Sequence, residues 1–357
     1  MRRGEVGLAR AGGCPVRQDG DMTTVDPQES DRVRDAVQQY VARVPELTRA
    51  TDGFITLVTS ALDDAGINYL AVTGRTKSAE SFAGKAARRG EGKLLYPDPL
   101  KQITDQIGLR VITYVRDDVD AVAQLLAGEL TVLEDRDMGQ ETADQGRWGY
   151  VSRHLVVAVD ASRTLSAEQA MLRTFTASVQ IRTVLQHAWA EFEHDIRYKG
   201  TIPEAYAPDL NRRFTLAAGL LELADQEFSA IRDRLQETLP EQPAQEPDVD
   251  DPRLSAQELA KFLAGKYPDA GWSRTEHYTW ISGLLLELGI TSLDELAHAL
   301  AASDGEAITA RMGYRYPPAA VRRLDDALLS VYGKDYVALH GNGHRVEQLM
   351  ERLSKLE

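Results

Sequence analysis

From Asp31 to Ala65 apolar residues recur at helical spacing, and Pro45 within that run predicts a break into two helices. Beyond Ala65 the period drops to two. "NYLAVTGRT" alternates like a strand, "SAESFAGKAARR" opens on a serine and returns to helical spacing, and "GLRVITYV" is a β-branched run of the kind buried inside a sheet. "DDVDAVAQLLAGEL" reads as a helix. "TVLEDRDM", "SRHLVVAVD" and "FTASVQIRT" read as further strands, the last running directly into the helix "VLQHAWAEFEHDIRYK". A long helical pattern follows from Pro208 to Thr238, and "LPEQPAQEPDVDDP" then concentrates proline and acid with almost nothing to bury. From Leu254 to Glu357 the pattern predicts several short helices with turn breaks at Pro268, Gly289, Gly313, Pro317 and Gly333. These elements predict an α/β (α+β) chain: a mixed β-sheet flanked by helices, then a C-terminal all-helical domain. The expected boundaries are a disordered segment at 1–26, the α/β domain with helical flanks at 27–238, an acidic proline-rich linker at 239–252 and the helical domain at 253–357.

Length agrees with two domains, since 357 residues exceed what one hydrophobic core usually organises. No window approaches the ~20 apolar residues of a membrane span, and the arginines after Met1 lead into no apolar signal core. A cytoplasmic protein without membrane contact is expected, and Met22 is an alternative start. Cys14 is the only cysteine, which excludes intramolecular disulfides and multi-cysteine zinc sites. A net charge of −14 argues against broad nucleic-acid binding. Between Gly74 and Lys93 the sign reverses: Arg75, Lys77, Lys85, Arg88, Arg89 and Lys93 face only Glu80 and Glu91. A basic segment in an acidic chain points to a specific anionic ligand.

Four constellations carry candidate chemistry. With a helix starting near Ser78, the spacing of Ser81, Lys85 and Arg88 places them on one face, with Arg75 and Lys77 on the strand end before it. Cations so gathered suit a polyphosphate at a helix N-terminus; the plain alternative is a solvated basic face. Asp105, just before a strand, is either a Mg2+ ligand beside phosphate or a turn cap. Arg110, inside that apolar strand, needs an anionic partner. Tyr150 precedes another strand and offers a flat ring to a base or simply edges the strand; Ser152 and His154 share a side by alternation. Gln180 and Arg182 alternate onto one strand face. On the next helix His187, Glu191 and His194 form a stripe opposite Leu185, Trp189 and Phe192, readable as a metal site or as a wet helix face.

In order and spacing these segments resemble the RelA/SpoT-type alarmone synthetases, over roughly Ile67 to Gly200. "GRTKSAESFAGKAARR" is similar to that family's ATP-binding RxKxxxSxxxKxxR pattern at Arg75, Lys77, Ser81, Lys85 and Arg88. "DQIGLRV" resembles its DxxGxR motif, which implies Asp105 as Mg2+ ligand and Arg110 on the ATP side. "GYVSRH" resembles GYxSxH, whose tyrosine, here Tyr150, stacks on the acceptor guanine, with His154 nearby. "QIRTVLQHAWAEFEHDIRYK" resembles the run in which Gln180 and Arg182 line the pocket, His187 lies near the acceptor base, and Glu193 and His194 face ATP. The resemblance implies a nucleotidyltransferase-like synthetase fold. It also implies transfer of the β,γ-pyrophosphate of ATP to the 3'-hydroxyl of GDP, GTP or an adenosine nucleotide.

Two departures stand out. The family's proton-accepting Glu lies two residues before the Gln of QIRT, where this chain has Ser178; Glu191, a substrate phosphate or loss of activity are the alternatives. A Lys usual before the GY is replaced by a region holding Gly146 and Arg147. The first histidine is His154, which implies a synthetase-only form without the family's metal-dependent hydrolase domain. Stand-alone members of this kind include growth-arresting toxins and enzymes that pyrophosphorylate the CCA end of tRNA. A tRNA substrate and a separately encoded antitoxin are therefore implied partners. Trp272, Tyr278, Trp280, Tyr314 and Tyr316 in the C-terminal region are expected to build a core or a partner surface, and no catalytic constellation is legible there.

Overall fold

The computed structural model describes residues 27–90, 92–139, 152–161, 163, 165, 169–199, 206–238, 251–314 and 316–357. The expectations for 1–26, for most of the 239–252 linker, for Gly146 and Arg147 and for Tyr150 lie outside the described residues.

Helix α1 (Pro27–Ala65) is a single helix through Pro45, which corrects the expected break. Pro45 cannot donate to the carbonyl of Val41, but both residues sit on the exposed side, open to solvent. The opposite face carries Tyr40, Leu47, Phe54, Val58 and Leu62, all fully buried, and their continuous packing keeps the two halves in line.

That face covers a sheet built of β1 (Ala71–Thr76), β4 (Ile107–Thr113), β5 (Thr131–Asp137), β6 (Arg153–Ala158) and β7 (Thr176–Thr183), in the order β1-β4-β7-β6-β5. Only β4 and β7 run parallel; the other neighbours are antiparallel. Period-two alternation divides the faces. Leu109, Val111, Leu155, Val157, Val179 and Ile181 are all fully buried in the core that contains α1 and α4 (Arg116–Glu129). Arg110, His154, Ser178 and Gln180 point the other way and stay partly exposed.

Between β1 and β4 lie α2 (Ala79–Ala86), a two-stranded hairpin of β2 (Arg89–Gly90) and β3 (Lys93–Leu94), and α3 (Pro99–Gln102). Ser78 caps α2 by accepting a hydrogen bond from the Ser81 amide. The helix ends at Ala86, so Arg88 lies beyond it and does not share a helix face with Ser81 and Lys85 as the spacing predicts. The hairpin that follows, absent from the expectation, draws the chain out of the helix: the Arg88 carbonyl accepts from the Leu95 amide. After β7 come α5 (Val184–Lys199) and α6 (Ala207–Thr238). Among the described residues no helix is long and apolar enough to cross a membrane.

The C-terminal region is helical, as expected: α7 (Ala256–Lys266), α8 (Thr275–Glu287), α9 (Leu293–Leu300), α10 (Gly305–Met312), α11 (Ala320–Tyr332), α12 (Lys334–Val337) and α13 (Val346–Leu356). Pro268, Gly289, Gly313, Pro317 and Gly333 all fall between helices; Gly313 closes α10 in a left-handed conformation that a side chain would strain. A second apolar cluster forms around Leu259, Ile281, Leu285, Leu324 and Leu328, with Tyr278 inside it and Trp280 packed against it. Tyr316 instead packs against the core beneath the sheet.

A buried ionic network joins this region to the end of α1. Asp64 receives Arg322 at 2.5 Å and Arg352 at 3.5 Å. Asp325 receives Arg345 and Arg352, each at 2.6 Å, and Asp326 receives Arg322 at 2.9 Å, Arg352 and the Tyr314 hydroxyl. Burial alone would push the Asp325 carboxyl up, but Arg352 and Arg345 hold it far below the usual carboxylate range. Asp325→Ala leaves both guanidiniums unmatched in the interior and is expected to cost about 3–5 kcal/mol in urea unfolding. Because the folded pKa is depressed, that contribution is complete above the unfolded carboxyl value of about 4 and is lost as pH falls toward the folded one. The difference between variant and wild type therefore narrows in acid.

Candidate active site

The polar face of the sheet holds a cavity of about 150 Å³ at the β1–β4–β7 end. Strand register explains its shape. Arg75 pairs with Gly108, and Gly108 with Ser178, so one row across three strands runs Arg75, Gly108, Ser178; the next runs Thr73, Arg110, Gln180, His154. Gly108 places no side chain between Arg75 and Ser178, which opens the floor. Gly74 serves the opposite face: a Cβ there would meet Leu109 at 2.8 Å and Ile55 at 2.9 Å, so its absence lets β1 lie close on α1.

Asp105 stands on the rim in a tight turn (Thr104–Gln106) just before β4. Lys77 reaches one carboxylate oxygen at 2.8 Å and Lys85 the other at 3.1 Å. Burial tends to raise the Asp105 carboxyl, but the hydrogen bond and charge of Lys77, then those of Lys85, outweigh it and hold the pKa below the usual range. Both lysines are positioned. The Lys77 carbonyl accepts from the Tyr40 hydroxyl at 2.7 Å, its amide donates to the Gln106 carbonyl at 2.9 Å, and the Tyr40 ring stacks on Phe82 of α2. Lys85 lies over the Tyr96 ring.

Arg110 extends from β4 to Glu191 of α5, 2.7 Å away, and His187, one turn earlier, comes within 3.9 Å of the same carboxylate oxygen. This bears on the reading of the His187, Glu191, His194 stripe: Glu191 meets Arg110 of the sheet while about half of its side chain stays in solvent. Among the described residues no group of three or more His, Cys, Asp or Glu side chains gathers as a metal site. Arg182 donates to the Gln180 side chain at 2.6 Å; burial first, and the charges of Arg110 and Arg75 with it, bring its guanidinium down to about 10. Burial likewise lowers the His187 pKa; Glu191 opposes that shift while Arg110 and Arg182 reinforce it, which favours the neutral ring. Ser152 lies 2.9 Å from the His154 ring.

The structure thus brings Arg75, Asp105, Arg110, Ser178 and Gln180 onto one cavity, with Lys77 and Lys85 gripping its rim. Lys77, Ser81, Lys85, Arg88, His154, Arg182, His187, Glu191, Glu193 and His194 are not among the lining residues. Thr73, which does line it, is two residues before Arg75 and was legible from strand alternation; Tyr40, distant in sequence, carried no such signal. Around the cavity Arg75, Lys77, Lys85, Arg110 and Arg182 outnumber Asp105 and Glu191, a surplus suited to a polyanion.

A sequence model described as a region found in RelA / SpoT proteins matches residues 74–202, from β1 through the end of α5. The GTP pyrophosphokinase YjbM of Bacillus subtilis (strain 168) is 34% identical over 202 residues, covering 56% of this chain and 87% of that protein. The chain belongs to the RelA/SpoT family. A second relative, the GTP pyrophosphokinase YwaC of the same organism, is 27% identical over 162 residues, 44% of this chain and 71% of its own. Among solved structures, small alarmone synthetase 1 from Bacillus subtilis aligns at 28% identity and a TM-score of 0.39, over 58% of this chain and 99% of that one. The RelA/SpoT match contains the whole cavity lining except Thr73 and ends well before the C-terminal helices.

Asp105→Asn should expose the electrostatics of the rim. The Asp105 carboxyl is depressed on folding, so its stabilisation is present above the unfolded value of about 4 and disappears as pH falls through the folded value. Urea midpoints measured across that acid range should fall more steeply for wild type than for the variant.

Proposed function

We propose that this protein transfers the β,γ-pyrophosphate of ATP to the 3'-hydroxyl of a guanosine or adenosine nucleotide. The observation that carries the reading is the cation-rich cavity, in which Arg75, Arg110 and Gln180 converge beside Asp105 and its two lysines. Membership of the RelA/SpoT family and likeness to a GTP pyrophosphokinase support the same chemistry.

On this reading Arg75, Lys77, Lys85 and Arg110 neutralise the phosphates, and with little covalent chemistry to perform the protein acts mainly by positioning and charge. Gln180 and Arg182, with His154 and His187 toward the neighbouring strand and helix, form the acceptor side. Tyr150 is assigned to the acceptor base by motif alone. Asp105 is the residue to hold Mg2+: a single carboxylate at the edge of a phosphate site suits an ion that takes one or two carboxylates plus phosphate oxygens and water. Bound there, Mg2+ supplies charge neutralisation on the phosphates. The lysines that now hold Asp105 are placed to pass to the phosphates, which present more negative charge than the carboxylate.

Purified protein incubated with labelled ATP and Mg2+, and separately with GDP, GTP, adenosine nucleotides and total tRNA, should yield a pyrophosphorylated nucleotide. Label on tRNA alone would assign the product to the tRNA 3' end, and no product with any acceptor would leave a nucleotide-binding regulator. A growth arrest on expression, lost with Asp105→Ala, is the expected cellular counterpart. Asp105→Ala should reduce turnover by at least about a hundredfold, the scale of losing one preorganised electrostatic element.

A further inference from the structure

The proposed transfer leaves the acceptor hydroxyl with a proton to lose, and the cavity floor offers no obvious base. Ser178 lines it, and a hydroxyl is too weak an acid–base group for that task. Asp105 is committed on the proposed reading to Mg2+, and without ligand each of its oxygens is held by a lysine. Glu191 does not line the cavity, but its carboxylate reaches Arg110, which does.

Glu191 comes from a different element than Ser178, yet the fold delivers it to the same face. Arg110 pairs with Gln180, two residues from Ser178 on β7, so Arg110, Ser178 and Gln180 project together. Positions two apart on a strand are about 7 Å from each other. Helix α5 begins at Val184, immediately after β7, and its second turn brings the Glu191 carboxylate to 2.7 Å from the Arg110 guanidinium. Glu191 is thereby paired with a residue of the row next to that of Ser178, two strand positions away. One of its oxygens makes this contact; the other has no hydrogen bond to a described residue. The charged and titratable groups that face it are Arg110 from β4, Arg182 from β7 and His187 from its own helix. Half of the Glu191 side chain is exposed, so it is held by the site and not required by the core.

We propose that Glu191 is the catalytic residue that accepts the proton, the carboxylate missing at position 178 being supplied from the facing helix. The inference rests on the pyrophosphoryl-transfer reading. In the step, the acceptor oxygen bonds to the β-phosphorus of ATP as the bond from that phosphorus to the α,β-bridging oxygen breaks. The bond's electron pair leaves with AMP, and the hydroxyl proton passes to the Glu191 carboxylate. A triphosphate that engages Arg110 competes with Glu191 for the guanidinium, so binding of the donor releases the carboxylate for the acceptor.

The test uses the full chain and the acceptor that gives product with wild type. Glu191→Gln keeps shape and removes basicity; kcat should fall about 10²–10⁴-fold, the range for losing general-base assistance, while the KM for ATP stays within about threefold. Adding Ser178→Glu to Glu191→Gln should restore kcat to within about tenfold of wild type, because a carboxylate then lines the cavity at position 178. Glu191→Gln with wild-type kcat overturns the proposal and leaves the transfer reading intact. A loss that appears chiefly in the KM for ATP, or that Ser178→Glu fails to rescue, also overturns it, by assigning Glu191 to holding Arg110. Wild type inactive with every acceptor removes the transfer reading, and this inference with it.

Discussion

Burial of one face of the five-stranded sheet beneath α1 and α4 is the constraint from which the rest of the molecule follows. With Leu109, Val111, Val179 and Ile181 committed to the core, strict alternation forces Gly108, Arg110, Ser178 and Gln180 onto the opposite face. A slip of one residue would exchange the two sets. The register therefore places the cationic residues, and the hydrophobic core enforces the register.

Helix α1 extends this control in both directions. Near its N-terminal half, the Tyr40 hydroxyl holds the backbone of Lys77, while Thr51 contacts Thr76 at the end of β1. At its C-terminal end, Asp64 enters the arginine and aspartate network of the helical region, and Asp63 meets Arg274 and His277. A continuous helix with buried side chains along its length joins the two, which is why its passage through Pro45 matters. Buried ion pairs of this kind add little over a well-packed apolar contact, but each is costly to break, so they specify one docking geometry.

The site itself is a balance of charge. Asp105 and Glu191 offset part of the positive surplus, one from the turn before β4 through Lys77 and Lys85 and one from α5 through Arg110. Each is held by a residue of a different element, and each contact is one that a phosphate group competes for. Ser178 adds no charge to the lining, in which Asp105 is the one carboxylate beside Arg75 and Arg110.

Much of this was legible in the chain. Period-two runs marked the strands, helical spacing marked α4, α5 and α6, and glycine and proline marked the turns of the C-terminal region, because those signals are local. The motif residues Arg75, Asp105, Arg110 and Gln180 were legible for the same reason: each belongs to a short contiguous pattern. Local signals failed where a distant contact outweighed them. Pro45 predicted a break that packing overrode, Arg88 was assigned to a helix that a hairpin ends early, and the polar stripe at His187 and Glu191 had no direction until Arg110 supplied a partner. Composition and alternation by themselves determined a mixed α/β unit with a basic, ligand-directed segment and a helical C-terminal region. Only the tertiary structure decided that Glu191 reaches Arg110, that Lys77 and Lys85 share Asp105, and that Asp64 anchors Arg322. Those pairs are 81, 28 and 20, and 258 residues apart, and no local pattern encodes which distant partner a charged side chain will meet.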